Sequence, residues 1–415
     1  MNTIKKVYCR VYQTAFKLAI PILPYRKPEI LEGMVRLPET LESKQVKSVL
    51  LVTDAGIRGL GITAKLEQIL AEKNIRCAVY DKTVANPTTD NVEQARALYQ
   101  AENCTAIIGF GGGSSIDCAK AVGARIARPN MSLAQMEGLL HVHHKLPLLI
   151  AIPTTAGTGS ETTVAAVITD SQTRHKYPIN DFCLIPQYAV LDPEVTRSLP
   201  RSVTATTGMD ALTHAVEAYI GRSTTRETRQ DATEAVQLVF KYLDRACDNG
   251  DDMTARAKMS RAAYLAGSAF TKSYVGYVHA VAHTLGGAYN VPHGLANAVL
   301  LPNVLEAYGE SAHKKLCELA VAAGVANATD TPAQGAEKMI SAIRAMQKRL
   351  DIPAVIPQIR AEDVPQLARY ADKEGNPLYP VPKLMDAKAL ERFYYEVMEE
   401  QHGTNRNTAD SNSAA

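Results

Sequence analysis

Between Val46 and about residue 198 the chain alternates short apolar runs with amphipathic stretches: VKSVLLVTD, GITAKLEQILAEKN, IRCAVYD, VEQARALYQAEN and TAIIGFGGG follow one another. Strand-length apolar runs separated by stretches of helical period are the pattern of parallel βαβ units, because parallel strands need a crossover long enough to hold a helix. LPLLIAIPTT and QYAVLDP add two further runs, each closed by turn-forming residues. The first half is therefore expected to be α/β, an open parallel sheet buried on both faces by helices. Right-handed crossovers would place ligands at the carboxyl ends of its strands.

After about Pro200 the pattern changes. TGMDALTHAVEAYI, TRQDATEAVQLVFKYLDRACD, MTARAKMSRAAYLAGSAF and VHAVAHTLGGAYN are rich in Ala and free of β-branched runs. Their apolar residues recur with a period of about 3.6, which predicts an all-α second half. A chain of 415 residues exceeds the size at which one core stops growing. The expected division is an amino-terminal arm at 1–45, a sheet domain at 46–198, a helical domain at 199–400 and a polar, disordered tail at 401–415.

Charge narrows the function. Forty-five Lys and Arg are interspersed with 43 Asp and Glu, which leaves no basic stripe for nucleic acid and favours small-molecule chemistry. Seven cysteines are scattered and never form CxxC, a usage that suits reduced thiols in the cytoplasm, each acting as a small buried hydrophobe. Residues Met1 to Leu23 mix Lys5, Lys6, Arg10 and Lys17 with apolar side chains. They contain neither an uninterrupted secretory core nor the run of about 20 apolar residues that a membrane span needs. The segment reads either as a plain helix or arm, or as a basic amphipathic helix that touches a partner or a membrane surface.

Two loops invite a nucleotide. TAIIGFGGGSSIDCAKAVG runs from a strand into a helix through Gly109, Gly111, Gly112 and Gly113. Residues without a Cβ let the backbone approach a pyrophosphate, and the helix that follows offers free N–H groups and a positive dipole end. The spacing is not GxGxxG, and a glycine-rich turn alone can equally be a tight turn. AIPTTAGTGSETT places Thr154, Thr155, Thr158, Thr162 and Thr163 around Gly157 and Gly159 after another strand. These hydroxyls can bond ribose or phosphate, or cap the next helix. Asp54, directly after LLVT, can accept from an adenosine ribose and would repel a 2′-phosphate, which favours NAD over NADP.

The helical half carries Asp210-x3-His214, then His279-x3-His283, then His293 in NVPHGLAN. Residues four apart on a helix share a face, and Pro292 and Gly294 mark a loop that can turn His293 toward the same point. Three imidazoles and a carboxylate suit Fe²⁺, Zn²⁺, Co²⁺ or Mn²⁺ and lack the thiolates of a structural zinc. A lone histidine is more often a satisfied core or surface residue, but two i,i+4 pairs in one Ala-rich domain point to a metal. His141, His143 and His144 in HVHHKLP have no carboxylate partner and read as a solvated loop.

GGGSSID, PTTAGTGSE, TGMDALTHAVEAY and VHAVAHTLGGAYNVPHGLANAVLLP resemble the iron-containing, or group III, alcohol dehydrogenases, over about residues 46 to 400. The resemblance implies a Rossmann-like domain followed by a helical domain, the architecture also seen in dehydroquinate synthase, with the active site between them. It implies a metal, Fe²⁺ or Zn²⁺, on Asp210, His214, His279 and His293. It puts His283 near the nicotinamide, where it is the candidate to relay the alcohol proton. Cofactor contacts are implied for Asp54, Asn86, Gly112, Gly113, Ser114, Asp117, Thr154, Thr158, Thr163 and Lys176, and Phe270 matches a position that narrows the substrate pocket. The implied activity is hydride transfer between a small primary alcohol or diol and NAD, less readily NADP, by a homodimer or larger homo-oligomer. The alternatives are a glycerol dehydrogenase-like or dehydroquinate synthase-like enzyme, and a non-catalytic scaffold acting through the amino-terminal arm. Lys272, Tyr274 and Tyr277 depart from the small or aliphatic residues common at those positions and leave substrate preference open. The first 30 or so residues precede the usual start.

Overall fold

The computed structural model describes residues 1–399, so the tail expected at 401–415 lies outside the described residues. Its strands are β1 (Glu29–Glu32), β2 (Ser48–Val52), β3 (Arg76–Tyr80), β4 (Ala106–Gly111), β5 (Gly138–Leu139), β6 (Leu148–Pro153), β7 (Ala165–Thr169), β8 (Lys176–Asn180) and β9 (Tyr188–Leu191). Six of them form one parallel sheet in the order β1-β9-β6-β4-β2-β3. Every residue of β2 is buried, and alternate side chains go to opposite faces. Leu50 and Val52 pack with Ile107, Cys118 and Val122, whereas Val49 and Leu51 pack with Ile108, Phe110 and Leu66. Burial on both sides is what makes these strands continuous apolar runs.

Two features differ from the sequence-based expectation. The segment expected to be an arm supplies β1, which pairs with β9 so that Glu29 lies opposite Tyr188. Only Leu31 of its four residues is buried, too weak a pattern to read as a strand. A second sheet, β5-β8-β7, joins β5 from the connection between β4 and β6 to β7 and β8 from the connection between β6 and β9, with β7 and β8 antiparallel.

From Arg201 to Val397 all the regular elements are helices. The Arg201–Ile220 helix is buried almost all round and is packed by the helices Arg226–Asp248, Met253–Ser273 and His293–Tyr308. A helix buried on nearly every side has to lie at the centre of its layer. The amino-terminal helix Thr3–Ala19 also docks on this half. Arg10 donates to the carbonyls of Val381 and Pro382, and Gln13 to that of Tyr379 at 2.7 Å. No helix among the described residues is long and apolar enough to cross a membrane.

Candidate metal and cofactor site

The central Arg201–Ile220 helix presents Asp210, His214 and Glu217 at positions i, i+4 and i+7, hence on one face. His279 comes from the first turn of the Tyr277–Tyr289 helix. His293 is not in a loop, as expected, but is the first residue of the His293–Tyr308 helix, with Pro292 as its N-cap. Gly294 makes this possible: a Cβ there would lie 2.6 Å from the Thr206 carbonyl oxygen and 3.5 Å from the Asp210 Cβ. The two helices can therefore approach closely enough for His293 to reach Asp210.

One donor atom from each of Asp210, His214, His279 and His293 falls within 4.8 Å of all the others. Burial lowers the pKa of His214, holds His279 well below the ordinary histidine value, and pushes His293 down to about 4 despite the nearby Asp210 carboxylate. All three rings are thus neutral, with lone pairs free to bind a cation. His214 Nδ1 is buried and without a hydrogen-bond partner, an orphaned atom that a ligand role would explain. The Asn297 amide nitrogen donates to Asp210 Oδ1 at 2.7 Å and lies 3.1 Å from Nε2 of both His279 and His293. That one donor reaches all three acceptors shows that they aim at a single spot. Neutral imidazoles and a carboxylate converging there fit a borderline divalent cation.

Around these four lie residues that the sequence did not disclose. His279 Nδ1 is 2.6 Å from Glu217 Oε2, and Glu217 also accepts from the N–H groups of Gly276 and Val278. Burial raises the Glu217 carboxyl to about 7, against the pull of those backbone donors. An acid in the apolar run HAVEAYI, on the same face as Asp210 and His214, was the available signal. His283 Nδ1 bonds Glu374 at 2.6 Å, and the Tyr379 hydroxyl donates to the same carboxylate oxygen. Burial alone would lower the pKa of His283, but the Glu374 carboxylate outweighs it and raises the value. The His283 side chain is 43% exposed where that of His279 is 3% exposed, so His283 stands between the cluster and solvent. Phe270 stacks on His214 with ring centroids 4.3 Å apart.

The departures near Phe270 lie away from the cluster. Lys272 pairs with Glu227 at 2.7 Å, the Tyr277 hydroxyl is buried on Asn376 and Met385, and Tyr274 meets Phe16 of the amino-terminal helix edge-on at 4.9 Å.

The two glycine-bearing loops sit at the carboxyl ends of β4 and β6. Gly112 is the N-cap of the Gly113–Ala127 helix, whose first turn has neither a side-chain cap nor an acid, leaving its N–H groups for an anion. Gly111 has φ +151, and a Cβ there would fall 2.5 Å from Ser115 Oγ. Ser114 follows in the same turn. The loop after β6, starting at Thr154, joins the two halves: a Cβ on Gly157 would strike Thr207, and one on Gly159 (φ +62) would strike Gly267 at 2.6 Å.

The other cofactor candidates have partners already. Asp54 caps the Ala55–Gly59 turn through Ile57 N–H and accepts from Ser115 at 3.3 Å. Lys176 donates to Asn86 at 2.6 Å, Thr158 accepts from the Ser160 N–H, and both Asp117 oxygens are taken, by Ser160 and the Val167 N–H. Thr163 turns inward to the fully buried Lys120. Lys120 was missed because a lysine in an amphipathic helix normally reads as surface.

Models of two families match the chain: iron-containing alcohol dehydrogenase over residues 32–193, and the carboxyl-terminal part of the Fe-containing alcohol dehydrogenase family over 204–397. Alcohol dehydrogenase 4 of Schizosaccharomyces pombe is 44% identical over 300 residues, 71% of this chain and 70% of its own. The NAD-dependent methanol dehydrogenase of Bacillus methanolicus is 36% identical over 327 residues, 78% of this chain and 86% of its own. A crystal structure of a 1,3-propanediol oxidoreductase superposes with a TM-score of 0.86 at 34% identity, covering 90% of this chain and 98% of that one.

Proposed function

This chain belongs to the iron-containing alcohol dehydrogenase family, and from that premise we propose that it is a metal-dependent, NAD-linked dehydrogenase of small primary alcohols or diols, reducing the corresponding aldehydes in reverse. The observation that carries the reading is the convergence of Asp210, His214, His279 and His293 within 4.8 Å of one another, beside the β6 loop that joins sheet and helices. The relatives named for methanol and 1,3-propanediol support small alcohols and diols as the substrate class.

In this proposal Asp210, His214, His279 and His293 hold Fe²⁺ or Zn²⁺. When bound, the cation supplies Lewis acidity that polarises an alcohol or carbonyl oxygen, and NAD supplies the hydride acceptor. The chain's own residues do the rest. The N-terminus of the Gly113–Ala127 helix, with Gly112, Gly113 and Ser114, binds the pyrophosphate. Thr154 and Thr158 line its approach from the β6 loop, and Asp54 favours the unphosphorylated ribose of NAD over NADP. Asn86 and Lys176 act as a pair at the rim. Asp117 and Thr163 hold the two loops together through Ser160 and Lys120. Phe270 limits the space beside His214. His283, oriented through Nδ1 by Glu374, exchanges the alcohol proton with solvent at Nε2. The sheet unit, 46–198 with β1, acts as the cofactor domain and 199–400 as the metal domain, in a cytoplasmic homo-oligomer.

The test is anaerobic purification with metal analysis, followed by a screen of short alcohols, diols and aldehydes against NAD(H) and NADP(H). Stoichiometric divalent metal and NAD reduction by a primary alcohol, both lost on chelation, are expected. Metal-loaded protein that transfers no hydride with any of them would overturn the reading and favour a scaffold.

A further inference from the structure

The amino-terminal helix Thr3–Ala19 precedes the region matched to the family, which begins at residue 32, and it has two distinct sides. Cys9, Gln13, Phe16 and Ile20 face the helical half and fix the helix there, with Arg10 and Lys5 tied to the Val381 and Pro382 carbonyls and to Asp372. The opposite side is a stripe of exposed apolar side chains, Ile4, Val7, Tyr8, Val11, Leu18 and, one turn on, Ile22. Ile4 is 82% and Leu18 74% exposed. The spacing of three and four residues puts them in one line along the helix. A docked helix that leaves such a line to water has a second surface to cover it.

Charge selects the kind of surface. The first acidic residue of the chain is Glu29, whereas Lys5, Lys6, Arg10, Lys17, Arg26 and Lys27 all precede it. Lys6 and Lys17 are exposed beside the stripe. At the carboxyl end of the helix Lys17 adds to Arg222, Arg229 and Lys315, four cations around the single acid Glu318; burial and the repulsion of the cations hold Lys315 down to about 8 against the attraction of Glu318. A second copy docking stripe to stripe would bring these cations together with no acid on the helix to receive them. The shallow hollow along the stripe is lined by the helix's own residues, from Lys6 to Leu18, so among the described residues it has no second wall with which to grip a peptide. An apolar ridge edged by tyrosines and lysines is the form of a helix that lies in the plane of a bilayer.

We propose that the exposed face of the Thr3–Ala19 helix seats the protein on an anionic lipid surface, with Val7, Val11 and Leu18 in the acyl boundary and Lys6, Lys17 and the neighbouring basic cluster on the headgroups. The helix is held to the body by its opposite face, so the site in the helical half stays folded and water-accessible while the ridge is buried.

Sedimentation of the full chain with vesicles tests this, comparing equal parts phosphatidylcholine and phosphatidylglycerol with phosphatidylcholine alone. Binding to the anionic vesicles only, weakening as salt is raised, is expected. A Val11→Asp, Leu18→Asp double variant should lose at least about tenfold in vesicle affinity, as should Lys6→Glu with Lys17→Glu, both with alcohol oxidation in solution unchanged. No vesicle binding at low salt would overturn the proposal, as would binding indifferent to Val11→Asp, Leu18→Asp. If that double variant instead splits an oligomer measured by light scattering, or abolishes binding of an acidic peptide while vesicles never bind, the stripe belongs to a second copy or to a protein partner, and the lipid proposal fails. The vesicle, light-scattering and peptide readouts do not depend on the enzyme being active, so they decide the proposal even if the activity reading fails.

Discussion

Glu217 grips His279 from behind: its Oε2 lies 2.6 Å from Nδ1, which leaves Nε2 as the nitrogen that faces Asp210 and His293 across Asn297. Fixing one ring nitrogen with a carboxylate sets the tautomer and makes the other nitrogen a better ligand.

Glu217→Gln keeps the shape but removes the charge behind His279. Metal affinity measured by chelator competition should fall by about 10- to 100-fold, while His279→Ala should leave almost no metal and no activity with an unchanged far-UV spectrum. Wild-type affinity in the Gln variant would count against the link.

Gly111→Ala places a methyl 2.5 Å from Ser115 Oγ and 2.7 Å from Ser115 Cβ, at φ +151. Because Ser115 is fixed in the helix, the turn has to shift. Urea unfolding should show a loss of about 1–3 kcal/mol, and NADH titration a weaker complex. An unaltered NADH affinity would show that this turn does not hold the pyrophosphate.

Asp54→Gly removes a side-chain cap at small cost, since glycine is itself tolerated at N-caps. The preference for NAD over NADP, read as the ratio of kcat/KM values, should fall by roughly tenfold, about 1.4 kcal/mol. If the ratio is unchanged, Asp54 only caps its turn.

Glu161 follows the β6 loop with both carboxylate oxygens buried and unpartnered, and burial raises it to about 7 against the attraction of Lys120. An acid whose folded pKa lies above its unfolded value of 4.5 holds its proton more tightly when folded. Its effect on stability is nil below the unfolded value, becomes increasingly unfavourable as pH rises toward 7, and is constant above that. Thermal unfolding from pH 5 to 8 should therefore show wild type losing stability relative to Glu161→Gln, by on the order of 3 kcal/mol. Parallel curves for the two proteins would disprove the shift.

How much was legible follows from how far each signal reaches along the chain. Five of the six strands of the large sheet, all but β1, are read from local apolar runs, and Asp210 with His214 from one helical turn. β1 escaped because a single buried residue, Leu31, marks it, and β7 with β8 because three of the five residues in each stay exposed or half-buried. Glu374 lies 91 residues from His283, and no spacing rule connects them.

Local chemistry, then, is the part written in the sequence itself: the βαβ alternation, the uncapped glycine turn and the donor types Asp210, His214, His279 and His293 are properties of neighbouring residues. Only the tertiary structure decided which groups share a site. It made His293 the start of a helix through the close approach at Gly294, put Glu217 behind His279 and Glu374 behind His283, and gave Tyr274 to the amino-terminal helix. The reason is physical: periodicity and capping act over a few residues, whereas the lowered pKa values of the histidines, the orphaned Nδ1 of His214 and the exposed ridge from Ile4 to Ile22 exist only once packing has removed some surfaces from water and left others in it.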